Sequence, residues 1–364
     1  MFNDSNVSYL VRSNSEVNMQ EKLLQWYHTD HRKLPWRESS DPYKIWLSEV
    51  MLQQTQVATV IEYFNRFISI FPTVHDLANA NEDQVLKMWE GLGYYSRARR
   101  LIPCARMVVE NYDGKFPQTY SEIIKLPGVG SYTAGAILSI AYNEKVAAVD
   151  GNVMRVYSRY YNMDNDISMN SSKNIFEKKV MDTLPEDRRH FNQALMELGA
   201  TICTPRNYKC DSCPIHEGCS AFSFDLQDCR PVKTKKIKKK HENIAVCMIR
   251  NDDKIMLMKR PSEGLLAGMW AFPVVSYNEK PEFAIKEMLL DNFDLDVTCI
   301  KSSSTTRHIY THLIWDMTLY EMESDKQVQV DMPLVHWITF EELKKYALPK
   351  GFHKLLSKRL VESL

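Results

Sequence analysis

The apolar positions of this chain follow a helical period over its longer, N-terminal part. From Glu21 to about Ala221 they recur every three or four residues, as on one face of a helix, most clearly over residues 45–71. Prolines and glycines interrupt the pattern at Pro72, Gly91, Pro103, Pro117, Pro127 and Pro185. The pattern therefore predicts an all-α domain made of several helices.

From Asn243 onward the period changes to that of β-strands. Short apolar or alternating runs rich in β-branched residues predict strands at 244–249, 254–259 and 313–322. Two further segments, AIKEMLLDNF (284–293) and TFEELKKYA (339–347), have the spacing of helices. The C-terminal third is therefore predicted to be a separate α+β domain.

These patterns predict four segments: a flexible tail (1–18), an all-α domain (19–224), a basic linker (225–242) and the α+β domain (243–364). The linker contains the lysine-rich run 228–241, which has no apolar period. Such a run is either a solvated connection or an electrostatic arm that holds phosphates, and both can be true at once.

Composition narrows the possible classes of protein. Lys plus Arg equals Asp plus Glu at 46 each in 364 residues, so any argument for nucleic-acid binding must rest on local clusters. No apolar run reaches the length of a membrane span, and the N-terminus lacks the layout of a secretory signal. We expect a soluble protein that is not secreted.

Four cysteines form a compact run with the spacing C-x6-C-x2-C-x5-C: Cys203, Cys210, Cys213 and Cys219. Structural zinc sites usually consist of two tight cysteine pairs, whereas this run has one pair with a single cysteine on each side. The spacing favours a [4Fe–4S] cluster over zinc. Disulfides are a further alternative, although the other cysteines suggest no oxidising compartment.

A glycine-rich turn, Leu126–Ala134, lies between two helical patterns. Gly128 and Gly130 would leave backbone N–H groups exposed at the start of the next helix, where the helix dipole favours an anion. Such a turn can hold one DNA phosphate without reading a base. An ordinary glycine-rich turn between helices is the alternative.

Two carboxylates suggest acid–base chemistry on a sugar. Asp150 opens a predicted helix, where a carboxylate should stay ionised; it is either a simple N-cap or the anion that stabilises a sugar cation. Glu49 lies in the apolar run 45–52, where desolvation would raise its pKa and suit it to a general acid, unless it simply faces water. Cleavage of a glycosidic bond requires one charged and one protonated carboxyl group.

Together these strings resemble a known family over roughly residues 20–350. LPGVGSYTAG, VDGNVMRV and the cysteine run are similar to the endonuclease III superfamily of DNA glycosylases, and SEVMLQQTQV, GLGYYSRARR and GLLAGMWAFP narrow the resemblance to MutY-type adenine DNA glycosylases. The resemblance implies an all-α helix-hairpin-helix domain (hairpin about 123–136) with an iron–sulfur loop (203–219), followed by an α+β Nudix-like domain.

The resemblance also implies an activity and roles for individual residues. Such enzymes flip adenine mispaired with 8-oxoguanine or guanine out of duplex DNA and remove it. Glu49 matches the acid that protonates adenine, Asp150 the carboxylate that stabilises the sugar cation, Asn152 a residue that orients them, and Tyr132 one that lines the sugar pocket. Bifunctional relatives have lysine at the position of Tyr132, so we expect a monofunctional glycosylase.

Further matches concern DNA contacts. Gln54 and Tyr94 match residues that wedge into the base stack, and Trp36 and Arg37 fall where the family contacts the extruded adenine. In the Nudix-like domain, Tyr310, Thr311 and His312 stand where the family has Phe-Ser-His for reading 8-oxoguanine; a plain strand with exposed polar residues is the alternative. Trp270, Phe272 and Pro273 are expected to be packing residues.

The paired glutamates and the arginine of a true Nudix box are missing near residues 281–297, so Mg²⁺-dependent hydrolysis is not expected.

Two alternatives to an adenine glycosylase stay open: a bifunctional pyrimidine glycosylase/lyase and a catalytically silent DNA-binding or redox-sensing protein. The expected partner is double-stranded DNA containing A:8-oxoguanine or A:G, with a monomer sufficient for activity. The expected location is the cytoplasm or nucleoid of a bacterium, or the nucleus or mitochondria of a eukaryote.

Overall fold

The computed structural model describes residues 19–234, 238–326 and 334–360. The predicted flexible tail over residues 1–18 lies outside the described residues. Contacts between residues divide the chain into two compact units. Of the described residues, the first unit contains those up to Asn79 and those from Pro103 to the basic linker, and the second contains Ala80–Ile102 and those after the linker. The second unit therefore takes its residues from two separate stretches of the chain.

The first unit consists of helices, as the apolar period predicts, but Pro103 lies inside a helix (Ser96–Tyr112) and does not separate two helices. Helix α1 includes residues 19–30. The helices that follow, two of which have residues in the second unit, are α2 (Pro42–Leu52), α3 (Val57–Ile70), α4 (Val74–Ala78), α5 (Glu82–Met88), α6 (Ser96–Tyr112), α7 (Tyr120–Ile123), α8 (Ser131–Tyr142), α9 (Gly151–Tyr160), α10 (Asn170–Asp182), α11 (Arg188–Thr201) and α12 (Ser220–Ser223). Helix α5 lies in the second unit, and α6 crosses the boundary at Ile102.

Helix α8 lies at the centre of the first unit. All of its residues from Thr133 to Ala141 are buried, so it has no polar face, as expected of a helix enclosed by others. Helices α2 and α11 pack against α8, and α9 packs against α11. A second layer of the core, to which α1 contributes Leu23 and Tyr27, joins α1 to α9 and α11. The amino ends of α8 and α9 and the middle of α2 and α11 are thereby held in fixed positions.

The second unit contains a mixed sheet. Its seven strands are β1 (Lys240–Asn251), β2 (Lys254–Lys259), β3 (Trp270–Ala271), β4 (Val274–Tyr277), β5 (Thr298–Ile309), β6 (Leu313–Glu323) and β7 (Val335–Thr339), and its later helices are α13 (Pro281–Phe293) and α14 (Lys350–Leu360). The strand order is β3-β2-β1-β6-β5, with β4 paired to β1 and β7 to β2. Strands β1 and β6 are parallel, and the other pairs are antiparallel.

Strand β1 is buried on both faces because a core lies on each side of it. Val246 and Met248 contribute to a cluster with Phe352 and Leu355 of α14. Cys247 and its alternate neighbours face the opposite cluster, which includes Leu289 of α13. Successive side chains of a strand point to opposite faces, so this burial explains the continuous apolar run in the sequence.

Three strand predictions and the helix over 284–293 are confirmed by β1, β2, β6 and α13. The helix predicted over 339–347 is wrong: β7 takes up Thr339, and only a short 3₁₀ turn, Glu342–Lys345, follows it. Trp270 and Phe272 are 3% and 1% exposed, which confirms them as packing residues. Among the described residues, no helix is long and apolar enough to span a membrane.

The stretch Ala80–Ile102 is held in the second unit by polar contacts centred on Glu90. The Glu90 carboxylate accepts hydrogen bonds from the Leu348 N–H (2.8 Å) and from the Lys87 ammonium (2.6 Å), and it lies 2.7 Å from His353 Nε2. Arg99 donates to the carbonyl of Ser262 at 2.7 Å. Segments far apart in the chain therefore form one compact unit.

Candidate active site

One cavity of about 580 Å³ in the first unit gathers most of the residues that the sequence singled out. It is lined by parts of α2, α8, α9 and α11 and by the 3₁₀ turn Pro35–Arg37. The predicted site residues among its walls are Trp36, Arg37, Glu49, Gln54, Tyr132, Asp150 and Asn152. Its size suits a small organic group such as a nucleobase with its sugar.

Glu49 is a buried carboxyl group on this cavity. It lies in α2, where nearly every residue is buried, and is itself only 5% exposed. Burial raises its pKa to about 7; the neighbouring Asp150 raises it too, while a hydrogen bond donated by the Tyr132 hydroxyl acts in the opposite direction. The expectation that an apolar helix would desolvate Glu49 is confirmed, and the alternative of a water-facing residue is wrong.

Asp150 is both an N-cap and a wall of the cavity. One carboxylate oxygen accepts the Val153 N–H at 2.8 Å, and the other accepts the side-chain amide of Asn152 at 2.7 Å. Burial is the largest influence and raises the pKa of Asp150 above its ordinary value, although these hydrogen bonds and the nearby Arg155 act in the opposite direction. The same helix start that satisfies a capping requirement thus directs a carboxylate into the cavity.

Asn152 is fixed from behind by Arg155. The Arg155 guanidinium donates to Asn152 Oδ1 at 2.8 Å, to the carbonyl of Gly199 at 2.7 Å and to the carbonyl of Cys203 at 2.7 Å. A Cβ atom at Gly199 would lie 2.6 Å from the Cβ of Asn152, so only glycine allows α11 to approach α9 this closely. A chain of hydrogen bonds therefore joins Asp150 to the backbone at the first cysteine.

Tyr132 stands in the first turn of α8, directly against Glu49. Its hydroxyl donates to Glu49 and also lies 3.1 Å from the sulfur of Met196. Burial and the adjacent carboxyl groups raise the pKa of Tyr132 well above its ordinary value, so it stays a neutral hydrogen-bond donor. It positions one oxygen of Glu49 and leaves the cavity without an amine at this place.

A third carboxyl group on the cavity, Glu197, was not predicted from the sequence. It is 1% exposed and accepts hydrogen bonds from Arg32 at 2.6 and 2.8 Å and from Arg37 at 2.8 Å. Although burial raises the pKa of Glu197, the two guanidinium groups lower it to about 2. The signal that identified Glu49, an acid inside an apolar helix, is also present at Glu197 and could have found it.

Both predicted wedge residues have left-handed backbone conformations. Gln54 follows α2, is exposed and has φ of 60°. Tyr94, in the second unit, is 47% exposed and has φ of 50°. Residues other than glycine adopt this region uncommonly, and those that do are found more often at active and binding sites.

The glycine-rich turn connects α7 to α8. Gly128 has φ of 80°, Gly130 caps α8, and both are exposed. A Cβ at Gly130 would meet no atom within 4 Å, so the space next to the helix start is open. The first N–H groups of a helix have no acceptor within the helix. Neither glycine lines the cavity, so the turn is a separate feature of the first unit.

The four cysteines surround a narrow space of about 30 Å³. No three of their sulfur atoms, all in the described part of the chain, lie within 4.8 Å of one another. Four thiolates on one tetrahedral zinc ion would be about 3.8 Å apart, given a Zn–S distance of about 2.3 Å. Arg159 donates to the sulfur of Cys203 at 3.4 Å. The residues therefore fit a centre wider than one zinc ion, such as an iron–sulfur cluster.

In the second unit, Tyr310, Thr311 and His312 form the turn between β5 and β6. Tyr310 is half-buried against the core and meets the Trp315 ring edge to face at 5.2 Å, whereas Thr311 and His312 are exposed. The three residues therefore differ: the first anchors the turn, and the other two are accessible. The alternative of a plain strand is wrong, because all three lie between the strands.

The fold, together with Glu49 and Asp150 in one cavity, defines the class of protein. The family of HhH-GPD superfamily base excision DNA repair proteins matches residues 47–183, and the NUDIX domain matches residues 245–358. A solved thermostable thymine-DNA glycosylase superposes with a TM-score of 0.54 at 30% identity, over 58% of this chain and 99% of that one. The class is therefore that of base excision DNA glycosylases.

The curated relatives identify the family within this class. An adenine DNA glycosylase of Rattus norvegicus is 34% identical, and the alignment covers 92% of this chain and 76% of the relative. Another, from Buchnera aphidicola subsp. Schizaphis graminum, is 33% identical over 92% of this chain and 96% of its own length. This chain belongs to the adenine DNA glycosylase family.

Proposed function

We propose that the chain is a monofunctional glycosylase that excises adenine mispaired with 8-oxoguanine or guanine in duplex DNA. The observation that carries the proposal is the pairing of two unlike carboxyl groups in one cavity. Glu49, with its pKa raised to about 7, can hold a proton near neutral pH. Burial raises the pKa of Asp150 as well, but two hydrogen bonds favour its ionised form, and Glu49 has only the one from Tyr132. This is the division of roles that cleavage of a glycosidic bond requires.

The reaction begins with proton transfer. Glu49 gives its proton to a ring nitrogen of the extruded adenine, which makes the base a better leaving group. The bond between the base nitrogen and C1′ then breaks, and its electron pair leaves with the base. The sugar becomes an oxocarbenium-like cation. Glu49, now ionised, accepts a proton from the water molecule that adds to C1′, and the enzyme returns to its starting state.

Asp150 stabilises the cation between these two proton transfers. Its carboxylate is largely shielded from solvent by the protein, and an electrostatic interaction is stronger there than in water. Asn152 and the Val153 N–H fix both carboxylate oxygens, so no reorganisation is needed when the positive charge develops. Arg155 acts as a positioning residue because it holds Asn152 from behind.

Tyr132 supports a monofunctional reaction. A lyase activity needs an amine that attacks the sugar and forms a Schiff base, and a phenol cannot do this. The Tyr132 hydroxyl instead holds Glu49 by a hydrogen bond. The product is then an abasic site in an intact strand.

Trp36 and Arg37 lie on the wall of the cavity, and we assign them the contact with the extruded adenine. Gln54 and Tyr94 are exposed, and we assign each of them a contact with the base stack. The turn with Gly128 and Gly130 holds one phosphate. Thr311 and His312 are the accessible residues of the β5–β6 turn, and we assign them the contact with the oxidised guanine. The residues that line the cavity belong to the first unit, and we propose that the protein acts as a monomer.

The assay that tests this function uses duplexes with one A:8-oxoguanine, A:G, T:G or thymine glycol site. Strand breaks are measured with and without alkali. We expect breaks at the adenine of A:8-oxoguanine and A:G, and only after alkali. Breaks without alkali, or a covalent adduct trapped by borohydride, would identify a bifunctional enzyme. Cleavage at T:G alone would instead match the activity named for the thymine-DNA glycosylase.

We also propose that Cys203, Cys210, Cys213 and Cys219 hold a [4Fe–4S] cluster. The cluster would supply a rigid centre for the loop rather than bond-breaking chemistry, since hydrolysis of the N-glycosidic bond transfers no electrons. The loop presents the exposed side chains of Arg206 and Lys209 to the DNA backbone.

Purified protein is therefore expected to contain four iron atoms per chain and to absorb light at about 400 nm. Cys210→Ser should lose both signals, whereas Cys229→Ser, an exposed cysteine outside the run, should keep them. A colourless wild-type protein with one zinc ion per chain would contradict the proposal.

A further inference from the structure

Three side chains with metal-binding atoms meet where α1 contacts the start of α11. His28 belongs to α1, Asp187 is the N-cap of α11, and His190 lies one turn further on. One ligand atom from each lies within 4.8 Å of the other two, and no other group of this kind occurs in the described ranges 19–234, 238–326 and 334–360. The group is distinct from the cavity and from the cysteine loop.

Asp187 is at the centre of the group. Its Oδ2 atom lies 2.8 Å from His190 Nδ1 and 3.7 Å from His28 Nε2. The backbone N–H of His190 donates to Asp187 Oδ1 at 3.3 Å, which fixes the carboxylate at the helix start. The two imidazole rings meet at an angle of 66°, with 4.8 Å between their centroids. The polar atoms of three side chains thus converge on a small volume.

These distances suit a zinc ion. Nitrogen and oxygen ligands lie about 2.0–2.1 Å from Zn²⁺, so two ligands on a tetrahedron are about 3.3 Å apart. Two of the three separations, 2.8 and 3.7 Å, lie on either side of this value, and the third, between the two histidines, is within 4.8 Å. The three side chains are between 39% and 51% exposed, so water can complete the coordination. We propose that His28, Asp187 and His190 form a binding site for one Zn²⁺ ion.

The simpler interpretation is a set of ion pairs and ring contacts at a helix start: Asp187 pairs with both His190 and His28, and the two imidazole rings meet edge to face. That interpretation needs no metal ion, so the zinc titration decides between the two. Binding of Zn²⁺ would replace the proton between His190 Nδ1 and the Asp187 carboxylate, because a ligating imidazole nitrogen must be unprotonated. The ion would then link α1 directly to α11.

This link has a structural consequence for the first unit. Helix α1 already contacts α11 through the Tyr27 hydroxyl, which donates to Gln193 at 3.2 Å. Gln193, Met196 and Glu197 of α11 all line the cavity. An ion between the helices would therefore stabilise one wall of the active site, and the temperature of unfolding should rise with the zinc concentration.

The test uses the full-length protein with its iron centre intact, titrated with ZnCl₂ in a calorimeter and in a thermal unfolding assay. Iron content and absorbance are measured before and after, since a loss of iron would reveal zinc at the cysteines. His28→Ala removes one ligand without touching the cap of α11. Asp187→Asn keeps an acceptor for the His190 N–H but loses the charge. His31→Gln is the control, because His31 lies three residues away and outside the group.

The expected result is one Zn²⁺ per wild-type chain, a higher unfolding temperature and unchanged iron. His28→Ala and Asp187→Asn should each weaken binding at least about tenfold, while His31→Gln should bind like the wild type. The proposal is overturned if wild-type protein takes up no zinc, if His28→Ala binds equally well, or if zinc enters only as iron leaves. Cobalt(II) gives an independent check, since its visible spectrum separates N/O ligands from thiolates.

Discussion

Replacing Glu49 with glutamine is expected to lower the single-turnover rate of adenine release by about 10³-fold, within the range attributed to general acid–base catalysis. Glutamine preserves the size of the side chain and can still accept the hydrogen bond from Tyr132. It has no proton to give to the departing base. The measurement is base release from a 20–40-mer duplex (about two to four turns) with enzyme in excess, so that product release does not limit the rate.

The pH dependence of adenine release shows whether the carboxyl group removed in Glu49→Gln is the one with the raised pKa. Wild-type protein should lose activity as pH rises through about 7, because the protonated form of Glu49 is the active one. Burying the ionised carboxylate costs on the order of 3 kcal/mol above that pH, a cost that glutamine does not have. The unfolding temperature of Glu49→Gln at pH 8 should therefore be no lower than that of the wild type.

Glu62→Gln serves as the matched control for this variant. Glu62 is 80% exposed on α3, so its replacement should change neither rate nor stability. An unchanged rate in Glu49→Gln, together with intact binding of DNA, would remove Glu49 from the mechanism. A rate that rises instead of falling above pH 7 would assign the proton transfer to another group.

Replacing Asp150 with asparagine is expected to reduce base release by about 10²–10³-fold, the range found when one stabilising electrostatic contact is removed. Asparagine can still accept the Val153 N–H and cap α9, so the fold should survive. The variant removes the negative charge that faces the developing sugar cation. Duplex binding and the unfolding temperature are measured together with the rate.

Asp41→Asn is the control for the capping effect. Asp41 caps α2 by accepting the Tyr43 N–H at 2.9 Å and does not line the cavity. If the two substitutions reduced the rate equally, the loss would come from weakened helix starts rather than from the missing charge. A large loss confined to Asp150→Asn would support the electrostatic role.

The sequence allowed the prediction of features that depend on local pattern. Helical spacing and strand-like runs predicted both kinds of fold, and a single acid in the apolar helix α2 predicted a desolvated Glu49. Strand β5 escaped prediction because Thr298–Ile309 is mostly polar and exposed, as an edge strand can be when only one partner holds it. The helix predicted over 339–347 was wrong at its start because Thr339 belongs to β7 and pairs with β2.

Features that depend on distant partners could not be predicted in this way. Glu197 is positioned by Arg32 and Arg37, from the other end of the first unit's sequence. No spacing rule relates these residues, because the fold of α1, α9 and α11 brings them together. The zinc site that we propose has the same origin, since His28 and His190 meet only after folding.

The placement of Ala80–Ile102 bears on whether the two sequence domains are interchangeable modules. Residues 47–183 match one family and 245–358 another, yet Glu90 lies inside the first match and is held by Leu348 and His353 of the second. A recombination event that exchanged the C-terminal domain at the basic linker would separate Glu90 from both partners. We therefore expect that an exchange of the region around residue 350 would need compensating changes near residue 90.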